Sequence, residues 1–206
     1  MKRKRVGVLI SGRGSNMAAL VEAARDPAYP AEIVCVVSNR PDAAGLEFAQ
    51  SRNISTHVID HKCHSARESF DAALNDYLQS QNLDLIACAG FMRIMTSMLL
   101  EPWAGKMINI HPSLLPLYKG THTHERALAD GVKVHGCSVH YVTAELDSGP
   151  VIARVEVPVL PGDTPETLSA RVLVEEHKLY PKALAMVATA EFNPDKSSFR
   201  RTPESF

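Results

Sequence analysis

No stretch of this 206-residue chain approaches the ~18 consecutive apolar residues of a membrane-crossing helix; the longest apolar run, residues 85–92, is eight residues with Gly90 included. An excess of charge is also missing. Lys and Arg total 22 against 23 Asp and Glu, a net charge of −1, which argues against the basic field that captures nucleic acid or an anionic membrane surface. Cysteine is sparse and scattered: Cys35, Cys63, Cys88 and Cys137 show no C-x-x-C spacing. Two of them lie inside the apolar runs IVCVV and LIACAG, where a reduced thiol packs as a small core residue, so a cytoplasmic protein is expected rather than a disulfide scaffold. The basic start MKRKR is followed by an apolar run too short for a signal peptide and is read as a solvated end rather than a nucleic-acid patch.

What the chain does have is a 45% apolar composition with 22% charged residues, enough to bury roughly 70% of the unfolded surface. Short apolar runs alternate with longer helical patterns. Runs at 6–10 (VGVLI), 33–37, 56–59 and 83–89 read as strands, and 15–24, 43–51 and the stretch after 65 as helices; Ser65 and Glu68 have capping-box spacing. Strands separated by helices imply right-handed βαβ units and a mostly parallel sheet. The second half adds strands at 107–110, 137–142 and 151–159, the last two joined by the short Asp147-Ser148-Gly149-Pro150 connection and therefore expected to pair antiparallel. Asp163-Thr164-Pro165 opens a long helix that Pro181 is expected to kink or divide. The expected fold is α/β: a doubly wound, Rossmann-like, mostly parallel sheet of about seven strands with one antiparallel strand in the C-terminal half. One domain is expected over residues 1–190, its phosphate-binding half about 1–100 and its catalytic half about 101–190, with a polar tail at 191–206.

Three segments carry candidate chemistry. SGRGSN at 11–16 follows a strand and opens a helix, where free N–H groups and the helix dipole suit a phosphate; it has neither a dinucleotide fingerprint nor a Walker loop, and a plain tight turn is the alternative. In MINIHP at 107–112, Asn109 and His111 stand two apart on an apolar strand and so face one side, as an oxyanion-binding pair or as solvated residues of an edge strand. Asp147 either shapes its own turn or partners a histidine. His57, His61, Cys63 and His64 have a metal-like composition without a second half, and His122 and His124 share a face if extended and could approach His111; solvated loops are the simpler reading of both groups.

Several ordered motifs then match one known family. ISGRGSN at 10–16, SNRPDAAGLEFA at 38–49, AGFMRIM at 89–95, NIHPSLLP at 109–116, HTH at 122–124, HGCSVHYVTAELDSGPVI at 135–152 and EEHKLYP at 175–181 closely resemble the phosphoribosylglycinamide formyltransferases, folate-dependent enzymes of purine synthesis, over nearly the whole chain. The resemblance implies Asn109, His111 and Asp147 as the catalytic trio, with His140 in support, and Gly14, Ser15 and Asn16 at the substrate phosphate. It implies Glu176 at the glycinamide ribonucleotide, and Arg67, Met92, Arg93, Ile94, Met95 and Asn109 at the folate, with Thr143, Ala144, Glu145, Leu146 and Asp147 closing over the pteridine. One departure is Leu173, where a polar phosphate contact is expected. The implied cosubstrate is 10-formyltetrahydrofolate, with no metal. The implied partners are small molecules only, with no nucleic acid or membrane, in a monomer or homodimer.

The expected chemistry is direct formyl transfer, with Asn109 and a protonated His111 donating to the oxyanion, each contributing on the order of 3–4 kcal/mol, and Asp147 aiding proton removal. Formyltetrahydrofolate hydrolase and the tRNA and sugar-nucleotide formyltransferases share this core but carry added segments, and the short chain favours the purine enzyme. A non-catalytic α/β binding module is the alternative from another class.

Overall fold

In the computed structural model, which describes residues 2–189, the apolar runs form strands and the amphipathic stretches between them form helices. In chain order these are β1 (Lys4–Ile10), α1 (Ser15–Ala23), β2 (Ala31–Ser38), α2 (Gly45–Ser51), β3 (Ser55–Val58), α3 (Arg67–Ser80), β4 (Leu85–Cys88), α4 (Ser97–Leu100), β5 (Met107–His111), α5 (Thr123–Ala129), β6 (Val134–Tyr141), β7 (Val151–Pro158) and α6 (Pro165–Ala188). The expected tail at 191–206 lies outside the described residues.

All seven strands join one sheet in the order β3-β2-β1-β4-β5-β6-β7. Strands β1 to β5 pair in parallel, whereas β6 runs against both β5 and β7, so β6 alone points the other way. The chain winds outward from β1 to β3 and returns to place β4 on the other side of β1. That reversal opens a crevice beyond the ends of β1 and β4, where open α/β sheets bind ligands.

Side-chain parity divides the core. Val6, Val8, Ile10, Ala87, Ile108 and Ile110 face one side and pack with Leu20 of α1 and Leu168 and Tyr180 of α6. Leu9, Ile86, Cys88 and Met107 face the other and pack with Phe70, Leu74 and Leu78 of α3 and Leu99 of α4. Successive residues alternate across a strand, so Asn109 and His111 follow Met107 onto the α3/α4 side. Met107 is fully covered there, and Asn109 opens into a cleft.

Two expectations about helices need correction. Of the kink or division expected at Pro181, division does not occur: α6 runs unbroken from Pro165 to Ala188. An interior proline costs a helix about 3 kcal/mol, but Leu179, Tyr180, Ala183 and Leu184 around it are all buried, and each of the two leucines contributes about 1.5–3 kcal/mol when fully buried. Tyr180 Oη also donates to Cys88 O at 2.9 Å, pinning the helix to β4. The Ser65–Glu68 capping box does not form: Ala66 is the extended residue before α3 and no side chain caps that helix. A reciprocal box forms instead at α6, between Thr164 and Thr167.

Candidate active site

The β5–β6 register sets Asn109 directly opposite His140 and His111 opposite Ser138. Cross-strand neighbours on one face come into contact, and Asn109 Nδ2 lies 3.2 Å from His140 Nε2. His140 is buried, with Nδ1 at 2.9 Å from Tyr141 O. A carbonyl only accepts, so the proton of neutral His140 sits on Nδ1, and Nε2 is free to accept from the Asn109 amide. His111, 5% exposed, is held in the opposite sense: Nε2–H donates to Tyr118 O at 2.9 Å, leaving Nδ1 toward Asp147.

The loop after β6 leaves near Met107, where Val142 N donates to Met107 O at 2.9 Å, and turns back across the same face. Asp147 thereby bridges both histidines, with Oδ2 at 3.4 Å from His111 Nδ1 and Oδ1 at 3.6 Å from His140 Nε2. It reaches them from a left-handed backbone conformation (φ 48°), which aspartate tolerates better than most residues. Its carboxylate is nearly covered, and Oδ2 accepts Gly120 N–H at 2.8 Å. Burial raises the Asp147 pKa, but the two imidazole rings beside it and the Gly120 N–H outweigh it and hold the carboxyl below its ordinary value. Burial acts on His111 in the opposite sense. It holds the imidazole below its ordinary value against the pull of Tyr118 O and Asp147, which favours a neutral ring before the reaction, a point the sequence alone leaves open.

The cleft beside this cluster is walled by Arg93, Ile94, Met95, Thr143, Ala144, Leu146, Asn109, His140 and Asp147, with Cys88 and Phe91 behind. The Arg93 guanidinium lies 4.4 Å above the Phe70 ring, and its Nε is buried without a hydrogen-bond partner among the described residues. The structure does not bring every candidate to this wall. Met92 is 74% exposed and contributes its backbone N–H to Ser11 Oγ at 2.8 Å. Arg67 opens α3 at the surface, and Glu145 reaches out to Lys119 at 3.3 Å.

At the head of α1, Gly14 is the N-cap in a left-handed conformation (φ 71°), and no side chain caps the helix. The first-turn N–H groups of such a helix have no partner of their own. The Asn16 side chain is engaged elsewhere: its Nδ2 donates to Glu176 Oε2 at 2.5 Å, joining α1 to α6. Glu176 is 7% exposed, and burial raises its pKa against the opposing effect of Asn16.

The remaining histidines do not converge on one point. His57 stacks on Tyr77 at 4.0 Å, His61 Nδ1 meets Asn39 O at 2.7 Å, and His64 stands edge-on to Phe70 at 5.6 Å. His122 and His124 diverge because the chain turns into α5 between them: His122 is exposed beside Glu125, and His124 packs at 5.2 Å against His135. A larger cavity of about 450 Å³ lies between α1, β2 and the end of α2. Its arginines are committed internally, Arg3 to Ala24 O and Ala31 O and both Arg25 and Arg52 to Glu22, and none of the candidate residues line it.

His135, 1% exposed, was not among the sequence candidates. Burial, aided by His124, pushes it down to about 4. A histidine held neutral only in the folded state penalises folding once the unfolded chain takes up its proton. The unfolding free energy is therefore expected to fall between about pH 6.5 and pH 4, by on the order of 3 kcal/mol. Urea titrations across that range check this, and His135→Phe flattens the dependence.

Compared with known proteins, the chain matches the formyl transferase family over residues 4–184. It belongs to that family. It is 43% identical over 181 residues to phosphoribosylglycinamide formyltransferase of Escherichia coli, covering 88% of this chain and 85% of the relative. It is 48% identical over 188 residues to the human trifunctional purine biosynthetic protein adenosine-3, covering 91% of this chain. The match spans only 19% of that longer relative. The crystal structure of phosphoribosylglycinamide formyltransferase from Brucella melitensis superimposes with a TM-score of 0.87 at 49% identity, covering 91% of this chain and 96% of that one.

Proposed function

We propose that this chain transfers the formyl group of 10-formyltetrahydrofolate to the primary amine of glycinamide ribonucleotide. The observation that carries the reading is the linked cluster of Asn109, His140, Asp147 and His111, of which Asn109, His140 and Asp147 line one cleft and His111 stands behind Asp147, in a formyl transferase fold. The cleft suits the donor. Ile94 and Leu146 offer apolar walls for a flat ring, and Arg93 brings a cationic guanidinium to the same cleft for a carboxylate. The open N-terminus of α1 suits the acceptor's phosphate through the Ser15 and Asn16 backbone. Buried Glu176 lies at the same end, through Asn16.

The donor supplies an activated formyl carbon. The acceptor amine attacks it, and one proton passes from that amine to the departing N10. Asn109 has a second amide N–H beyond the one given to His140, and it is available to a developing oxyanion. Neutral His111 presents a lone pair on Nδ1, 3.4 Å from ionised Asp147. That arrangement favours proton uptake at Nδ1 as the amine becomes acidic, and the resulting imidazolium stabilises the oxyanion. Asp147 holds the charged ring and relays the proton through water. No covalent enzyme intermediate is required, and the buried thiols Cys88 and Cys137 are each pushed up to about 12. Four unpaired cysteines also fit a reducing, cytoplasmic setting.

The test mixes protein, 10-formyltetrahydrofolate and glycinamide ribonucleotide and follows tetrahydrofolate by absorbance. Product is expected only when both substrates are present. Formate release without the amine establishes a hydrolase, and no turnover establishes a binding module.

A steric detail makes the phosphate reading testable by itself. A Cβ on Gly45 falls 2.7 Å from Ile10 Cδ1 and 3.2 Å from Gly14 Cα, and Gly45 N–H donates to Gly12 O at 3.1 Å. Gly45→Ala therefore displaces the loop. The expected result is a KM for glycinamide ribonucleotide raised about tenfold with kcat within about threefold, the signature of lost uniform binding.

A further inference from the structure

Both members of the His111–Asp147 pair are gripped by the backbone of one short segment that no catalytic motif includes. Tyr118 O accepts His111 Nε2–H at 2.9 Å, and Gly120 N–H donates to Asp147 Oδ2 at 2.8 Å. Between them, Lys119 Nζ reaches Ser148 Oγ at 2.5 Å, beside Asp147. Tyr118 holds this place at φ 54°, in the left-handed region that side chains other than Gly, Asn and Asp rarely occupy. Such a conformation persists only where the surroundings over-determine it, and here they do. Tyr118 Oη donates to Asp130 Oδ2 at 3.0 Å, and the Arg126 guanidinium lies 5.4 Å from the ring centroid. Arg126 Nη1 also donates to Lys119 O at 2.7 Å, and the buried His135 ring stands at 5.8 Å from the Tyr118 ring.

A neutral imidazole has one N–H, and which nitrogen carries it is set by the bond that the other ring nitrogen, or the N–H itself, makes. With Tyr118 O fixed as an acceptor at Nε2, the other nitrogen is left as the lone pair. We propose that Tyr118 is a positioning residue for the transfer reaction: its carbonyl, clamped by Arg126, Asp130 and His135, keeps the His111 proton on Nε2 and presents Nδ1 to Asp147 and the reacting oxygen. The proposal rests on the formyl-transfer reading for its consequence but not for its test. If the clamp loosens, the proton moves to Nδ1. The resting ring then offers Asp147 a donor rather than a proton acceptor, and the chemical step slows although both substrates still bind.

The test is ring-¹⁵N NMR of histidine-labelled protein without substrates, at mildly alkaline pH where the imidazole is neutral, with His111 assigned by its absence in His111→Ala. The wild type is expected to show the Nε2–H tautomer alone. Arg126→Met and Tyr118→Gly both act at positions that are not fully buried, and glycine adopts the left-handed conformation without holding it there. In each, an Nδ1–H signal is expected at His111, together with kcat lowered about tenfold and KM for both substrates within about twofold. Tyr118→Phe, which keeps the ring contacts to Arg126 and His135 and loses only the bond to Asp130, is expected to show a smaller Nδ1–H fraction than Tyr118→Gly. An Nδ1–H tautomer in the wild type, or an unchanged His111 spectrum in both Arg126→Met and Tyr118→Gly, overturns the proposal. Because the spectrum is read on the resting protein, it decides the matter even if formyl transfer itself is not observed.

Discussion

Asp147→Asn and His111→Ala are each expected to lower kcat by about 10³-fold, the middle of the range for removing a positioned acid or base. The reason is geometric. Asp147 Oδ2 is 3.4 Å from the only His111 nitrogen not already committed, and the same oxygen is fixed by Gly120 N–H. An asparagine keeps the shape and the bond from Gly120 but loses the negative charge that makes proton uptake at Nδ1 favourable. Because the two residues act as one unit, the double variant is expected to lose little more than the worse single variant. Stopped-flow turnover and a denaturation curve for each variant check the claim. A double variant in which the two losses multiply shows that they act separately.

Asn109→Ala is the second large effect, expected at about 10²–10³-fold in kcat, the cost of one oxyanion-hole donor. Asn109 stands opposite His140 across the β5–β6 ladder, and one amide proton is already directed at His140 Nε2, 3.2 Å away. That bond orients the amide, so the second proton is preorganised. The KM values for both substrates are expected to move less than about threefold, because the donor serves charge that develops only in the transition state. A loss appearing in KM rather than kcat assigns Asn109 to ground-state binding.

The elements that could be read from the sequence are those with long or regular patterns. The buried parallel strands are nearly continuous apolar runs, and α1, α3 and α6 carry a helical stripe. Helices α4 and α5, of four and seven residues, are too short to show a period. Pro181 misleads because the local penalty is visible in sequence and the burial that offsets it is not. The same division applies at the site. The two-residue spacing of Asn109 and His111 announces a shared face, whereas their partners come from a loop whose path no spacing encodes. Tyr118 O and Gly120 N–H are backbone groups and leave no mark in a residue pattern at all. Asn16 stands at the right loop, but its side chain is turned to Glu176. Met92 and Arg67 come from motif matching, which reports neighbourhood in the chain and not direction in space.

The Asn16–Glu176 bond joins residues separated by 160 positions, and Tyr180 ties the same helix to β4, made 92 residues earlier. Helix α1 leaves the ribosome well before α6. The Asn16–Glu176 contact therefore stays unmade until α6 has emerged. A nascent chain that already contains Asn109, His111 and Asp147 still lacks this helix, and the proposed activity is expected to switch on abruptly once α6 emerges.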